Sequence, residues 1–217
     1  MQNKNEDLSL PAIQHFNTLQ FVSSPTVGVW RGPLDRKGDE VARATTLVRF
    51  DPNTKFPYHV HEGGEEFLVL EGTFIDEEGE YPTGSYIRHP IGSDHSPWVG
   101  PDGCLILVKL WWMHPDDRLV FVQNAVDVQE GTERQLFQGT HTSEQVFVVS
   151  IPPGKALETA NSEGGLEVFV LEGEIVFNGE SFAKYGWIRL PSGFDEKLNV
   201  IQSEKGAKCF VKRNHLK

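Results

Sequence analysis

His59-Val60-His61-Glu62-Gly63-Gly64-Glu65, answered further along by Pro90-Ile91-Gly92-Ser93-Asp94-His95, decides how this 217-residue chain is read. The surroundings are strand-like, and side chains of a strand alternate between its faces. His59 and His61 therefore share one side while Val60 points to the other. Gly63-Gly64 supplies a turn or bulge, after which Glu65 opens the apolar run Phe67-Leu68-Val69-Leu70. Three imidazoles and a carboxylate are then offered by adjacent strands and one returning segment. That donor set suits a divalent transition metal, and zinc, iron, manganese and nickel all tolerate it. The expected ligands are His59, His61, Glu65 and His95, for one ion per chain. Glu66 stands beside Glu65 as a competing carboxylate.

Composition narrows the classes. The net charge of −11 argues against a nucleic-acid surface, since phosphate neutralisation needs clustered Lys and Arg. No apolar run is long enough to span a membrane. Residues 1–10 are polar and acidic, unlike a secretory signal, so a cytoplasmic protein is expected. Cys104 and Cys209 stand far apart, each at the head of an apolar strand. They read as buried thiols rather than a disulfide. Frequent Gly and Pro between short apolar runs point to many short strands and low helix content.

The chain repeats itself at a shift of 101 residues. Glu62-Gly63-Gly64 falls on Glu163-Gly164-Gly165, and Phe67 to Gly72 on Val168 to Gly173. Ile87-Arg88 falls on Ile188-Arg189, and Pro90-x-Gly92 on Pro191-x-Gly193. A duplicated domain follows, with the division expected between residues 1–117 and 118–217. In the second copy the ligand positions hold Ala160, Ser162, Leu166 and Glu196, so that copy is expected to lack a metal. The junction around His114 to Leu119 lacks the Gly-Ser composition of a flexible tether. The two halves are thus expected to act as one unit, with a homodimer open as a larger assembly.

The two motifs resemble those of the cupin superfamily. His59, His61, Glu65 and Gly72 match its first motif, with Asn53 where a leading Gly is usual. Gly84, Pro90, Gly92 and His95 match its second in full. The resemblance implies an all-β bicupin, two tandem double-stranded β-helix (jelly-roll) barrels, of which the first holds the metal and a small-molecule pocket. The stretch from His59 to Phe74, with Tyr81-Pro82-x-Gly84-Ser85-Tyr86 and the segment up to His95, is similar to the cupin domain of ChrR-type anti-sigma factors. That family implies a zinc-binding stress sensor acting with a sigma factor. The sigma-binding domain, with its Cys-x-x-Cys pair, has no counterpart in residues 1–20.

Related single-domain cupins imply a second class, non-haem dioxygenases that cleave β-diketones or aromatic ketones. Candidate neighbours of the metal are Tyr86, Arg88 and His89. Arg88 recurs as Arg189 in the copy without ligands, which favours a structural ion pair over a substrate contact. By alternation His89 faces away from Arg88, but the side that holds the pocket does not follow from the sequence. Trp111 and Trp112 point to opposite faces, and core packing is the expected fate of both.

Overall fold

The computed structural model describes residues 2–39, 41–125 and 127–216. Among these the chain is all-β, its single helical element being the 3-10 turn Phe16–Thr18. Among the described residues no helix is long and apolar enough to cross a membrane. The residues group into two units, Met1–Glu6 with Gln20–Asn124, and Asp7–Leu19 with Ala125–Lys217.

The first unit is built on an eight-stranded antiparallel sheet. Its order is Phe121–Asn124, Ser85–His89, Glu65–Ile75, Trp98–Leu110, Arg43–Phe50, Val29–Lys37 and Val22–Ser23, with Glu80–Pro82 beside Glu65–Ile75. A separate two-stranded ladder pairs His59–Val60 with Asp94–His95. Alternate side chains of the long strands, among them Val48, Phe50, Phe67, Val69, Ile106 and Val108, form one apolar core. Burial of each such side chain contributes about 1.5–3 kcal/mol.

The second unit repeats the plan. Its nine-stranded sheet runs Ala12–Gln14, Trp187–Leu190, Leu166–Phe177, Ala207–Arg213, Gln145–Ile151 and Glu133–Gln138, with Lys155–Ala156, Glu180–Ala183 and Ile201–Ser203 attached. The central strands Glu65–Ile75 and Leu166–Phe177 occupy matching places, as the 101-residue repeat predicts.

The division differs from a single break after residue 117. Phe121–Asn124 pairs with the strand Ser85–His89, and Asp117 accepts a 2.7 Å bond from Arg88, so both remain with the first unit. Conversely, Ala12–Gln14 adds to the edge of Trp187–Leu190. His15 stacks on Phe182 at 4.2 Å, and Arg189 donates to the Asp7 carbonyl. Each unit therefore takes its outermost strand from the segment that precedes the other unit's barrel.

Deleting residues 1–19 should uncover the edge of Trp187–Leu190 and remove an acceptor of the buried Arg189. The loss of several backbone and side-chain hydrogen bonds is worth roughly 3 kcal/mol, a fall in melting temperature of about 6–12 °C for a chain of this size. Calorimetry showing an unchanged melting profile would refute this assignment of the N-terminal segment.

Candidate metal centre

The ladder between His59–Val60 and Asp94–His95 sets His59 directly across from His95. His61 follows at once, its backbone tied to the second motif by His61 N–H to the Ser93 carbonyl at 2.8 Å and Gly92 N–H to the His61 carbonyl at 3.0 Å. Glu65 opens the next strand, where its cross-strand partner is His89. One donor atom from each of His61, Glu65, His89 and His95 lies within 4.8 Å of the others, and all four residues are buried. His59 joins the group, its Nε2 lying 3.2 Å from that of His61 and its ring 4.7 Å from that of His95. The Oε1 of Glu65 lies 3.5 Å from His61 Nε2, 3.8 Å from His95 Nε2 and 3.9 Å from His89 Nδ1. All four expected ligands thus converge, and the structure adds His89.

Hydrogen bonds on the far side of three rings fix which nitrogen faces inward. His59 Nδ1 lies 3.0 Å from the Pro57 carbonyl, to which it can only donate. His95 Nδ1 lies 3.1 Å from Asp76 Oδ2. His61 Nδ1 lies 2.9 Å from Ser93 Oγ, whose own hydrogen goes to the Pro90 carbonyl at 2.7 Å. Ser93 must therefore accept from His61. In all three rings Nδ1 carries the hydrogen and the Nε2 lone pair points into the cluster, as in metal-binding histidines. His89 Nδ1 has no hydrogen-bond partner among the described residues.

Electrostatics agree with this assignment. Burial, reinforced by the neighbouring imidazoles, pushes the pKa of His61 down to about 2, and burial with His95 takes His89 to about 4. His59 is lowered by burial too. Neutral imidazoles keep their lone pairs available. Burial raises Glu65 to about 7 against the pull of His95. Asp76 would be raised by its burial, but hydrogen bonds from His95, the Glu78 amide and Tyr81 hold it below the usual carboxylate range. Converging lone pairs repel one another until a cation sits among them. The residues present fit a divalent transition metal.

The cluster forms part of the wall of a cavity of about 330 Å³. Val29, Val48, Phe50, Phe56, Phe74, Ile106 and Val108 supply much of the lining, and His59, His61, Glu65 and His95 the polar end. Trp111, expected in the core, instead lines this cavity half-exposed, while Trp112 donates to the Ala44 carbonyl at 3.1 Å. Tyr86 and Arg88 face away from the cluster. Arg88 lies 2.5 Å from Glu66 and 2.7 Å from Asp117, and Tyr86 donates to Glu66 at 2.7 Å. Arg88 is therefore a buried structural cation. Sequence reasoning missed Asp76, whose Oδ1 caps its own turn while Oδ2 holds His95 nineteen residues away. An acid ending a strand just before a turn is a weak signal by itself.

In the second unit Leu166 belongs to the apolar core, Ser162 is buried and Glu196 is exposed.

Residues 10–114 match the family model of the ChrR cupin-like domain. Over that segment the chain is similar to the cupins. Solved structures agree on the fold. One from Nostoc punctiforme, provisionally named a dioxygenase, aligns with a TM-score of 0.74 at 17% identity over 96% of this chain and 85% of its own. The nickel(II) complex of the bacterial pirin YhhW from Escherichia coli aligns at 0.72 and 12% identity over 94% and 98%. Oxalate decarboxylase from Bacillus subtilis aligns at 0.62 and 10% identity over 100% and 79%. No curated protein matches the chain.

Exchanging Asp76 for Asn should loosen the His95 ring and lower metal affinity about 10–100-fold, as for other groups that orient metal-bound histidines. Affinity should also depend on pH. Glu65 binds as the carboxylate, so affinity is full above about pH 7 and falls as the pH drops through that value. Competition against a chromogenic chelator at pH 6 and pH 8 tests both, and equal affinities throughout would refute them.

Proposed function

We propose that the first barrel binds one divalent transition metal through His59, His61, Glu65 and His95, with His89 beside Glu65, and acts as a dioxygenase on a small β-diketone or aromatic ketone. The observation that carries this reading is the cavity of about 330 Å³, largely apolar, that ends on the donor cluster. Its size lies at the lower end of small-molecule sites, and a few convergent polar groups in an apolar pocket are their usual form. A bound metal supplies Lewis acidity at a carbonyl oxygen and, where it is iron, the electron chemistry that dioxygen requires.

The protein supplies the rest. His59, His61 and His95, held by Pro57, Ser93 and Asp76, keep the donors in fixed orientation. Phe50, Phe74, Ile106 and Val108 keep the reacting end dry, so that polar contacts there are stronger than in water. The cavity opens past Val41, Val60 and Trp111, which are exposed at its edge.

The second reading, a metal-dependent stress sensor working with a sigma factor, is favoured by the match of residues 10–114 to the ChrR cupin-like family. Oxygen uptake by iron-loaded protein against a panel of β-diketones and hydroxyaryl ketones separates the two. The enzyme reading expects turnover of about one per second or more, with one equivalent of metal by elemental analysis and loss of both in the His59→Ala, His61→Ala double variant. Absence of uptake with every metal tried, together with a co-purifying sigma factor, would overturn it in favour of the sensor.

A further inference from the structure

Arg88 does not line the cavity, and the Lys/Arg side chain that does is Arg31. It lies on the strand Val29–Lys37 two residues after Val29, which is buried in the core. Alternation gives Val29 and Arg31 the same face. Arg31 is also the cross-strand partner of Val48, and Val29, Arg31 and Val48 all line the cavity. Between them Trp30 turns the other way, its indole donating to Asp51 at 2.8 Å.

Other arginines of this unit are tied down. Arg49 pairs with Asp51, Arg43 donates to the Glu6 carbonyl and covers Trp112, and Arg88 is held by Glu66 and Asp117. Among the described residues the Arg31 side chain has neither a hydrogen bond nor an ion pair. A half-buried cation on an apolar wall carries a desolvation cost, and a complementary anion removes it. The acids lining the cavity are Glu62, which is exposed, and Glu65, which belongs to the donor cluster. With a divalent ion among the donors, the cavity has a surplus of positive charge.

We propose that Arg31 is the specificity residue of this cavity, and that its ligand is a carbonyl compound with an apolar, ring-sized body and a carboxylate at the end remote from the metal. The inference rests on the metal-chelating reading above and adds the second, charged end of the ligand. Phe56 and Trp111 in the same lining offer flat apolar surface to the ring. The guanidinium offers the paired donors that a carboxylate accepts.

Zinc-loaded full-length protein, which holds the probe without consuming it, provides the test. The probes are 1-phenylbutane-1,3-dione and its 4-carboxyphenyl analogue, with binding followed by tryptophan fluorescence and by calorimetry. The native protein should prefer the carboxylated compound by about tenfold or more, the size expected of one charge-assisted hydrogen-bonded pair. Arg31→Met should abolish that preference, so that the two diones bind alike, and Arg31→Lys should restore part of it. Circular dichroism and metal content equal to the native protein's will show that the variants fold. Equal binding of the two probes by the native protein, or a preference that survives in Arg31→Met, overturns the role of Arg31 and leaves the chelating site standing. Failure of both probes to bind metal-loaded protein overturns the chelating reading itself, and this proposal with it.

Discussion

Three imidazoles each direct the Nδ1 hydrogen at a fixed acceptor, and the chemistry of the first barrel follows from that constraint. Pro57 is a backbone acceptor, Ser93 a hydroxyl committed to Pro90, and Asp76 a carboxylate. A histidine held only by packing could present either nitrogen. Here the anchors lie outside the cluster and the lone pairs inside it. The His59–His95 ladder and the backbone bonds of His61 to Gly92 and Ser93 bring both motifs into one register. Loss of that ladder would disperse the donors even with every side chain retained.

The second barrel shows what the architecture is without this constraint. Buried acids on the opposite face persist in both copies. Glu66 accepts from Tyr86 and Arg88, and Glu167 accepts from Trp187 at 2.8 Å while lying across from Arg189. That network serves the sheet, since it is present with or without the donors. At the position of Glu65, by contrast, Leu166 fills the core with apolar volume. A buried carboxylate raised to about 7 costs stability at neutral pH, and a leucine does not. The first barrel carries that cost at the one face where a cation can offset it.

Much of this was legible in the sequence because it is local or periodic. The paired motifs named His59, His61, Glu65 and His95, and the 101-residue register exposed the second copy and its lost donors. What escaped depends on tertiary partners. Alternation set His89 opposite Arg88 but could not say which faced the interior, a matter decided by the pairing of Ser85–His89 with Glu65–Ile75. Asp76 acts on a ring brought to it by another hairpin. The strand Ala12–Gln14 is only three residues long and joins a partner far away in sequence. No local pattern could have moved it out of the first unit.

The paired glycines of each copy carry one more lesson about where sequence and site meet. A Cβ on Gly63 would lie 2.1 Å from the Trp111 indole, and one on Gly64 would strike Met113. In the second copy Gly164 and Gly165 are approached in the same way by Asn214 and Leu216. Both pairs therefore serve close packing of the chain that leaves Trp98–Leu110 and Ala207–Arg213, whether or not a metal site is near. Trp111 and Asn214 also share a left-handed backbone, with φ of 62° and 61°. Asparagine tolerates that conformation and here bonds the Gly164 amide and the Asn161 carbonyl. Tryptophan bears it at a cost of roughly 1–2 kcal/mol. That strain sits where the indole forms the wall of the cavity, so the departure from the easier residue coincides with the barrel that holds the donors.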